Sequence, residues 1–143
     1  MFINQISVFV NNEKGALSEI TLILYKNDID IRAIAIFDTP EYCICRLVTD
    51  RADEACQLIK KEGMLAKISR VLAVVPPDEK GILNEIFTAF KENEINIEYS
   101  YCFVMNKKEL PYIVIKTDNQ DKAAETLEKL GVRIASKEEV QRI

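Results

Sequence analysis

Apolar residues alternate at Ile6, Val8 and Val10, the period of a strand with one buried face, within an extended run over residues 2–10. After Gly15 the spacing changes to that of a helix, with Leu17, Ile20, Ile23 and Leu24 on one side. Residues 29–37 read as a second strand and 42–48 as a third, and Asp38-Thr39-Pro40-Glu41 joins them as a hairpin. A second helix over about residues 51–62 gathers Ala52, Ala55, Cys56 and Ile59 on one side and stops at Gly63. Residues 64–68 then form a short fourth strand.

The same order returns. A strand over 71–75 leads to a helix with Leu83, Ile86 and Phe90 inward, and strands over 95–103 and 112–115 follow. Next comes a helix carrying Ala124, Leu127 and Leu130, a stop at Gly131, and a last strand over 132–135. Ser136-Lys137-Glu138-Glu139 has the form of a capping box and opens a terminal helical turn. The repetition extends to residue identity. Asn12-Glu13-Lys14-Gly15-Ala16-Leu17-Ser18-Glu19-Ile20 is echoed by Asp78-Glu79-Lys80-Gly81-Ile82-Leu83-Asn84-Glu85-Ile86, 66 positions on. Asn27, Ile29 and Ile31 likewise recur as Asn93, Ile95 and Ile97. Thr49-Asp50 matches Thr117-Asp118 at an offset of 68, which places a hairpin two residues longer around Asn106, Lys107 and Lys108.

One module has therefore been duplicated, as residues 1–68 and 69–143. Each copy is βαββαβ, so the fold class is α+β: two ferredoxin-like modules packed together, antiparallel sheets with helices on one face. Units this small bury only about 60% of their unfolded surface, so the halves are expected to share an interface. The face opposite the helices is not cleanly polar, which predicts a second layer over it, either the other repeat's sheet or a second chain.

Composition narrows the function. A hydrophobic fraction of 48% and a charged fraction of 29% describe a folded protein, and a net charge of −4 with no dominant basic run argues against nucleic acid and anionic membrane. No apolar stretch is long enough to span a bilayer, and the N-terminus opens directly into a strand, so a cytoplasmic protein is expected. There is no histidine, which removes the usual proton-transfer group near neutral pH, and no nucleophile–base pair is visible. Catalytic residues, cofactors and metal are all expected to be none. The four cysteines, Cys43, Cys45, Cys56 and Cys102, contain no C-x-x-C pair and read as reduced, partly buried thiols.

Gly15 and Gly81 each lie between a strand and a helix. There a residue without Cβ permits a tight turn and leaves the first helical amides open to a carboxylate or phosphate. The alternative is purely structural, with Asn12 and Asp78 as N-terminal caps.

These loops, with the phrases Asn27-Asp28-Ile29-Asp30-Ile31 and Asn93-Glu94-Ile95-Asn96-Ile97, resemble the ACT domain, a regulatory module that binds small molecules, usually amino acids. The resemblance spans essentially the whole chain, twice, as in stand-alone tandem ACT proteins. It departs at Lys14 and Lys80, where the family usually has proline. In members that bind amino acids the ligand touches the glycine loop of one module and the start of strand two of its neighbour. The resemblance thus implies ligand-binding positions at Asn12, Glu13, Lys14, Gly15 and Asp30, and at Asp78, Glu79, Lys80, Gly81 and Asn96. Loop amides would take the ligand carboxylate and side-chain oxygens its ammonium.

If each pocket joins one copy's loop to the other's strand, Asn12 pairs with Asn96 and Asp78 with Asp30. The first pair is then expected to bind a zwitterion better, because two carboxylates repel each other and the ligand's carboxylate. Tyr99, Tyr101 and Phe103 replace Ala33, Ala35 and Phe37 of the first copy, and read either as packing or as a pocket wall suited to a bulky apolar amino acid.

Other modules of this topology fit less well. RNA binding wants stacking aromatics on the first and third strands, a metallochaperone a cysteine pair at the first loop, and an acylphosphatase an arginine in that loop. The sequence therefore predicts a non-catalytic sensor that binds a free amino acid, forms a homodimer and regulates a metabolic enzyme. The competing reading is a regulatory subunit acting by protein contact on a separate enzyme without its own ligand.

Overall fold

The computed structural model describes residues 1–103 and 111–142, so the hairpin expected around Asn106, Lys107 and Lys108 lies outside the described residues. Two compact units are present, one built from Asn4–Ser69 and the other from Arg70–Gln141 with Met1–Ile3. The elements run β1 (Phe2–Asn11), α1 (Ala16–Lys26), β2 (Ile31–Asp38), β3 (Tyr42–Thr49), α2 (Ala52–Lys61) and β4 (Leu65–Val75). They continue as α3 (Ile82–Glu92), β5 (Ile97–Phe103), β6 (Tyr112–Thr117), α4 (Gln120–Lys129), β7 (Arg133–Ile134) and α5 (Lys137–Gln141).

Each unit is a ferredoxin-like βαββαβ module with an antiparallel sheet. In the first, β3 lies between β1 and β2, and in the second β6 lies between β4 and β5, with β7 on β4. The registers repeat residue for residue. Ile6, Ser7 and Val8 stand opposite Leu47, Arg46 and Cys45, as Leu72, Ala73 and Val74 stand opposite Ile115, Val114 and Ile113. Even the irregularity in strand two recurs, between Ile31 and Ala33 and between Ile97 and Tyr99.

Two boundaries differ from the sequence expectation. The strands expected at 64–68 and 71–75 are one, Leu65–Val75, because no glycine or proline interrupts the extended run. Strand two begins at Ile31 rather than 29, since Asn27 and Asp28 close α1 instead. Asn27 Nδ2 donates to Ile23 O at 2.8 Å, Asp28 turns with φ of 54°, and the Ile29 amide bonds back to Leu24 O at 3.0 Å. Asn93, Glu94 and Ile95 close α3 in the same way, with the Ile95 amide 2.9 Å from Phe90 O.

The helix-side cores hold Ile6, Val8, Ile20, Leu24, Cys45 and Leu47 in one module and Leu72, Val74, Ile86, Phe90, Ile113 and Ile115 in the other. Three thiols, Cys43, Cys45 and Cys56, are buried, and burial, with Cys43 nearby, pushes the Cys45 thiol up to about 11. Such a thiol stays protonated and behaves as a small hydrophobe.

The opposite face carries polar and aromatic contacts within each module. In the first, Gln5 and Ser7 are fully buried, Gln5 Nε2 and Arg46 Nη1 donate to Ser7 Oγ at 3.3 and 2.9 Å, and the Arg46 guanidinium lies 5.0 Å over Phe37. In the second, Phe103 stacks on buried Tyr112 at 5.2 Å, so that end of the aromatic row is packing. The Tyr112 hydroxyl donates to Glu139 Oε1 at 2.8 Å, which seats α5 on this face, and Arg133 Nη1 reaches the same oxygen at 2.6 Å. The capping turn forms as expected, with the Glu139 amide 3.1 Å from Ser136 Oγ.

Partial burial raises the Glu139 pKa, but the Arg133 and Tyr112 hydrogen bonds outweigh it and hold the carboxyl below its ordinary value. Its stabilisation is therefore present above the unfolded-state pKa and lost as pH falls through the lowered folded value. Tyr112→Phe should cost about 1–2 kcal/mol at neutral pH by urea denaturation. The difference from the natural protein should shrink once Glu139 is protonated, and an unchanged difference at low pH would show that the carboxylate does not hold α5.

Candidate ligand site at the glycine loops

The site residues sit where β1 passes into α1 and where β4 passes into α3. Gly15 and Gly81 are themselves the N-caps, with φ of 88° and 93°, a left-handed conformation that only glycine adopts freely. A Cβ at either position would meet nothing within 4 Å, so backbone conformation rather than space requires glycine. This overturns the reading of Asn12 and Asp78 as caps: neither helix has a side-chain cap. The structural consequence is chemical. Ala16 and Ile82 make long bonds of 3.4 Å back to Glu13 and Glu79, and Glu19 and Glu85 bond to the glycine carbonyls. Between them, the amides of Leu17 and Ser18, and of Leu83 and Asn84, meet no backbone acceptor among the described residues. Each loop thus presents a pair of unsatisfied donors at the positive end of a helix.

The polar residues of the two loops are not placed alike. Asn12 turns back into its own module, its amide 3.4 Å from Glu41 O and its Nδ2 3.2 Å from Thr39 O. Asp78 is exposed and makes no hydrogen bond or ion pair among the described residues. Glu13, Lys14, Glu79 and Lys80 are exposed as well.

Asp30 and Asn96 lie at the far end of each sheet from the loop. Asn11 pairs with Tyr42 at one end of β3 and Ile31 with Thr49 at the other, seven residues or about 23 Å along the strand. Within a module the structure does not bring the loop and the strand-two residue together. Both strand-two positions are held by an aspartate that sequence reasoning left without a role. The Asp30 amide donates to Asp50 Oδ1 and the Asn96 amide to Asp118 Oδ1, each at 3.0 Å. The available signal was the repeated Thr49-Asp50 and Thr117-Asp118 pair. Asp30 also carries an ion pair to Arg32 at 2.7 Å, whereas the position equivalent to Arg32 in the second module is Glu98.

Residues 1–142 match the family model for an ACT domain pair. The chain belongs to this family. No curated protein sequence matches the ACT pair. Among solved structures it is similar to a protein from Bacteroides thetaiotaomicron over 100% of this chain and 98% of that one, at 26% identity and a TM-score of 0.90. The regulatory subunit of aspartate kinase from Thermus thermophilus, in its ligand-free form, aligns over 88% of this chain and 91% of that one, at 16% identity and 0.62. Clostridium acetobutylicum aspartate kinase aligns over 90% of the ACT pair and 33% of its own length, at 19% identity and 0.54. At these last two identities the likeness is one of fold. No described helix is long and apolar enough to cross a membrane, and no described group of three His, Cys, Asp or Glu is placed to hold a metal ion.

Proposed function

We propose that this ACT pair is a non-catalytic sensor that binds a free amino acid at its glycine loops and regulates an enzyme of amino-acid metabolism. The observation that carries the reading is the glycine cap itself. It leaves two helical amides at each loop without a backbone acceptor among the described residues, and a carboxylate is the group those donors suit. Asp30 and Asn96 would complete such a site only from a neighbouring module, as the family resemblance implies.

The alternative, regulation by protein contact alone, draws support from apolar residues on the exposed sides of the helices. Leu17, Leu22 and Tyr25 on α1 are 38, 48 and 81% exposed, and Leu83 and Phe87 on α3 are 41 and 39% exposed. The same residues are candidates for pairing two copies of the chain in the cytoplasm.

A thermal-shift screen against the twenty amino acids separates the two readings, because a ligand specific to the native state raises its melting temperature. The sensor reading expects a shift of several degrees with one chemical class, saturating with concentration. No shift with any amino acid, alongside co-purification of a catalytic subunit, would favour the protein-contact reading.

A further inference from the structure

A groove of about 420 Å³ runs between α1 and α2 on the outer side of the first module. Its α1 wall is Glu19, Leu22, Ile23 and Lys26, residues spaced three, one and three apart, so they form one stripe along the helix. Across from them α2 and the start of β4 contribute Leu58, Glu62 and Met64. The stripe is apolar in the middle, where Leu22 is 48% exposed, and oppositely charged at its two ends. Glu19, Lys26 and Glu62 are all exposed, and none forms an ion pair among the described residues.

We propose that this groove seats α1 of a second copy of the chain, the two helices running antiparallel about a two-fold axis that passes between Leu22 and Ile23. A two-fold contact uses one patch twice, so the patch must complement itself. About that axis residue 19 meets residue 26 of the other copy, and 22 meets 23. Each Lys26 ammonium therefore meets the other copy's Glu19 carboxylate, with Glu62 supplying a second carboxylate in the same wall. Between these ion pairs each Leu22 enters the other copy's apolar groove beside Ile23, Leu58 and Met64. A parallel arrangement would instead set Glu19 against Glu19 and Lys26 against Lys26. The duplicated module lacks the pattern. Its equivalent positions, 66 residues on, are Glu85, Thr88, Ala89 and Glu92, with no large apolar residue at the centre and a carboxylate at both ends. The pairing surface therefore belongs to the first module alone. Glu19 also lines the cleft beside Gly15, so this surface adjoins that loop. The inference goes beyond the sensor reading and does not depend on it.

Sedimentation equilibrium of the full chain over a range of concentrations tests the surface. The natural chain should dimerise reversibly, and more weakly as salt is raised. Lys26→Glu and Glu19→Lys should each raise the dimer dissociation constant about tenfold or more, because each sets like charges against one another across the axis. The double variant Glu19→Lys with Lys26→Glu exchanges the signs and should recover much of that loss. Leu22→Asp should weaken the dimer to a similar degree, whereas Thr88→Asp at the equivalent place in the second module should leave it unchanged. Circular dichroism checks that each variant is folded, and the two charge changes lie at exposed positions, so they decide the matter should Leu22→Asp fail to fold. A natural chain that stays monomeric at every concentration would overturn the proposal and leave the groove to a different protein. A dimer indifferent to Leu22→Asp and to both charge changes would place the contact on another face. Charge changes that weaken the dimer without recovery in the double variant would overturn the antiparallel register.

Discussion

Phe90→Ala is expected to lower the stability of the chain by about 3–5 kcal/mol, the cost of removing a large aromatic from a closed core. Phe90 is 1% exposed in the last turn of α3 and packs with Leu72, Val74, Ile86, Ile95 and Leu127 in one buried cluster. Its carbonyl also accepts the Ile95 amide at 2.9 Å, so the side chain sits at the turn where the chain leaves the helix and enters β5. The neighbours belong to two helices, one strand and the turn before β5, and cannot all collapse into the space. Urea denaturation followed by circular dichroism gives the figure, and a loss below about 1 kcal/mol would mean that this core is much looser than its burial indicates. Leu24, at the equivalent place in the first module, should behave similarly at about 2–5 kcal/mol when cut to alanine.

Val114→Arg should be at least as damaging, about 3–5 kcal/mol, although the first module carries arginine at the equivalent position. Arg46 faces Ser7 across the strand pair, donates to its hydroxyl at 2.9 Å and spreads over Phe37. Val114 faces Ala73 in the same register, both are fully buried, and the alanine side chain has no atom that could accept from a guanidinium. An unpaired charge there would remain unsolvated. The double variant Val114→Arg with Ala73→Ser restores the Arg46 arrangement in part and should recover a measurable share of the loss. Equal stability of the single variant and the natural chain would show that this face is open to water. The comparison matters for function as well, because the faces of the two modules have diverged chemically while their backbone registers have not.

That contrast shows how legible the chain was. Element order, the duplication and the glycine loops all followed from short-range patterns. Apolar spacing of two or about 3.6 residues identifies strand or helix within a few turns of chain, and Gly15 and Gly81 announce a left-handed residue by lacking a Cβ. Boundaries were less legible where two signals met. Asn27-Asp28-Ile29 reads as the start of a strand from its alternation, yet the Asn27 side chain and the Ile29 amide both bond back into α1, so the helix claims them. The candidate site was half legible. The glycine caps were legible, and so were the open amides in the first turn of each helix. Charge alone does not reveal which polar group is already engaged: Asn12 bonds to Thr39 O, whereas Asp78 makes no bond among the described residues.

Sequence by itself determined that there are two modules of one kind, what elements each contains, and that each has a glycine-capped helix. These properties depend on residues only a few positions apart, so local sterics and periodicity suffice to specify them. Tertiary structure alone decided what those elements do with their polar groups. Asn12 is committed because strand register brings Thr39, 27 residues away, within 3.2 Å. Tyr112 anchors α5 because its turn sets Glu139, again 27 residues away, at 2.8 Å. The cleft at Gly81 has a largely apolar wall beside Asp78 and Glu79 because Pro76, Pro77, Pro111 and Ile113 meet there from separate parts of the chain. Such meetings depend on how strands pair over long separations, and no local pattern records them.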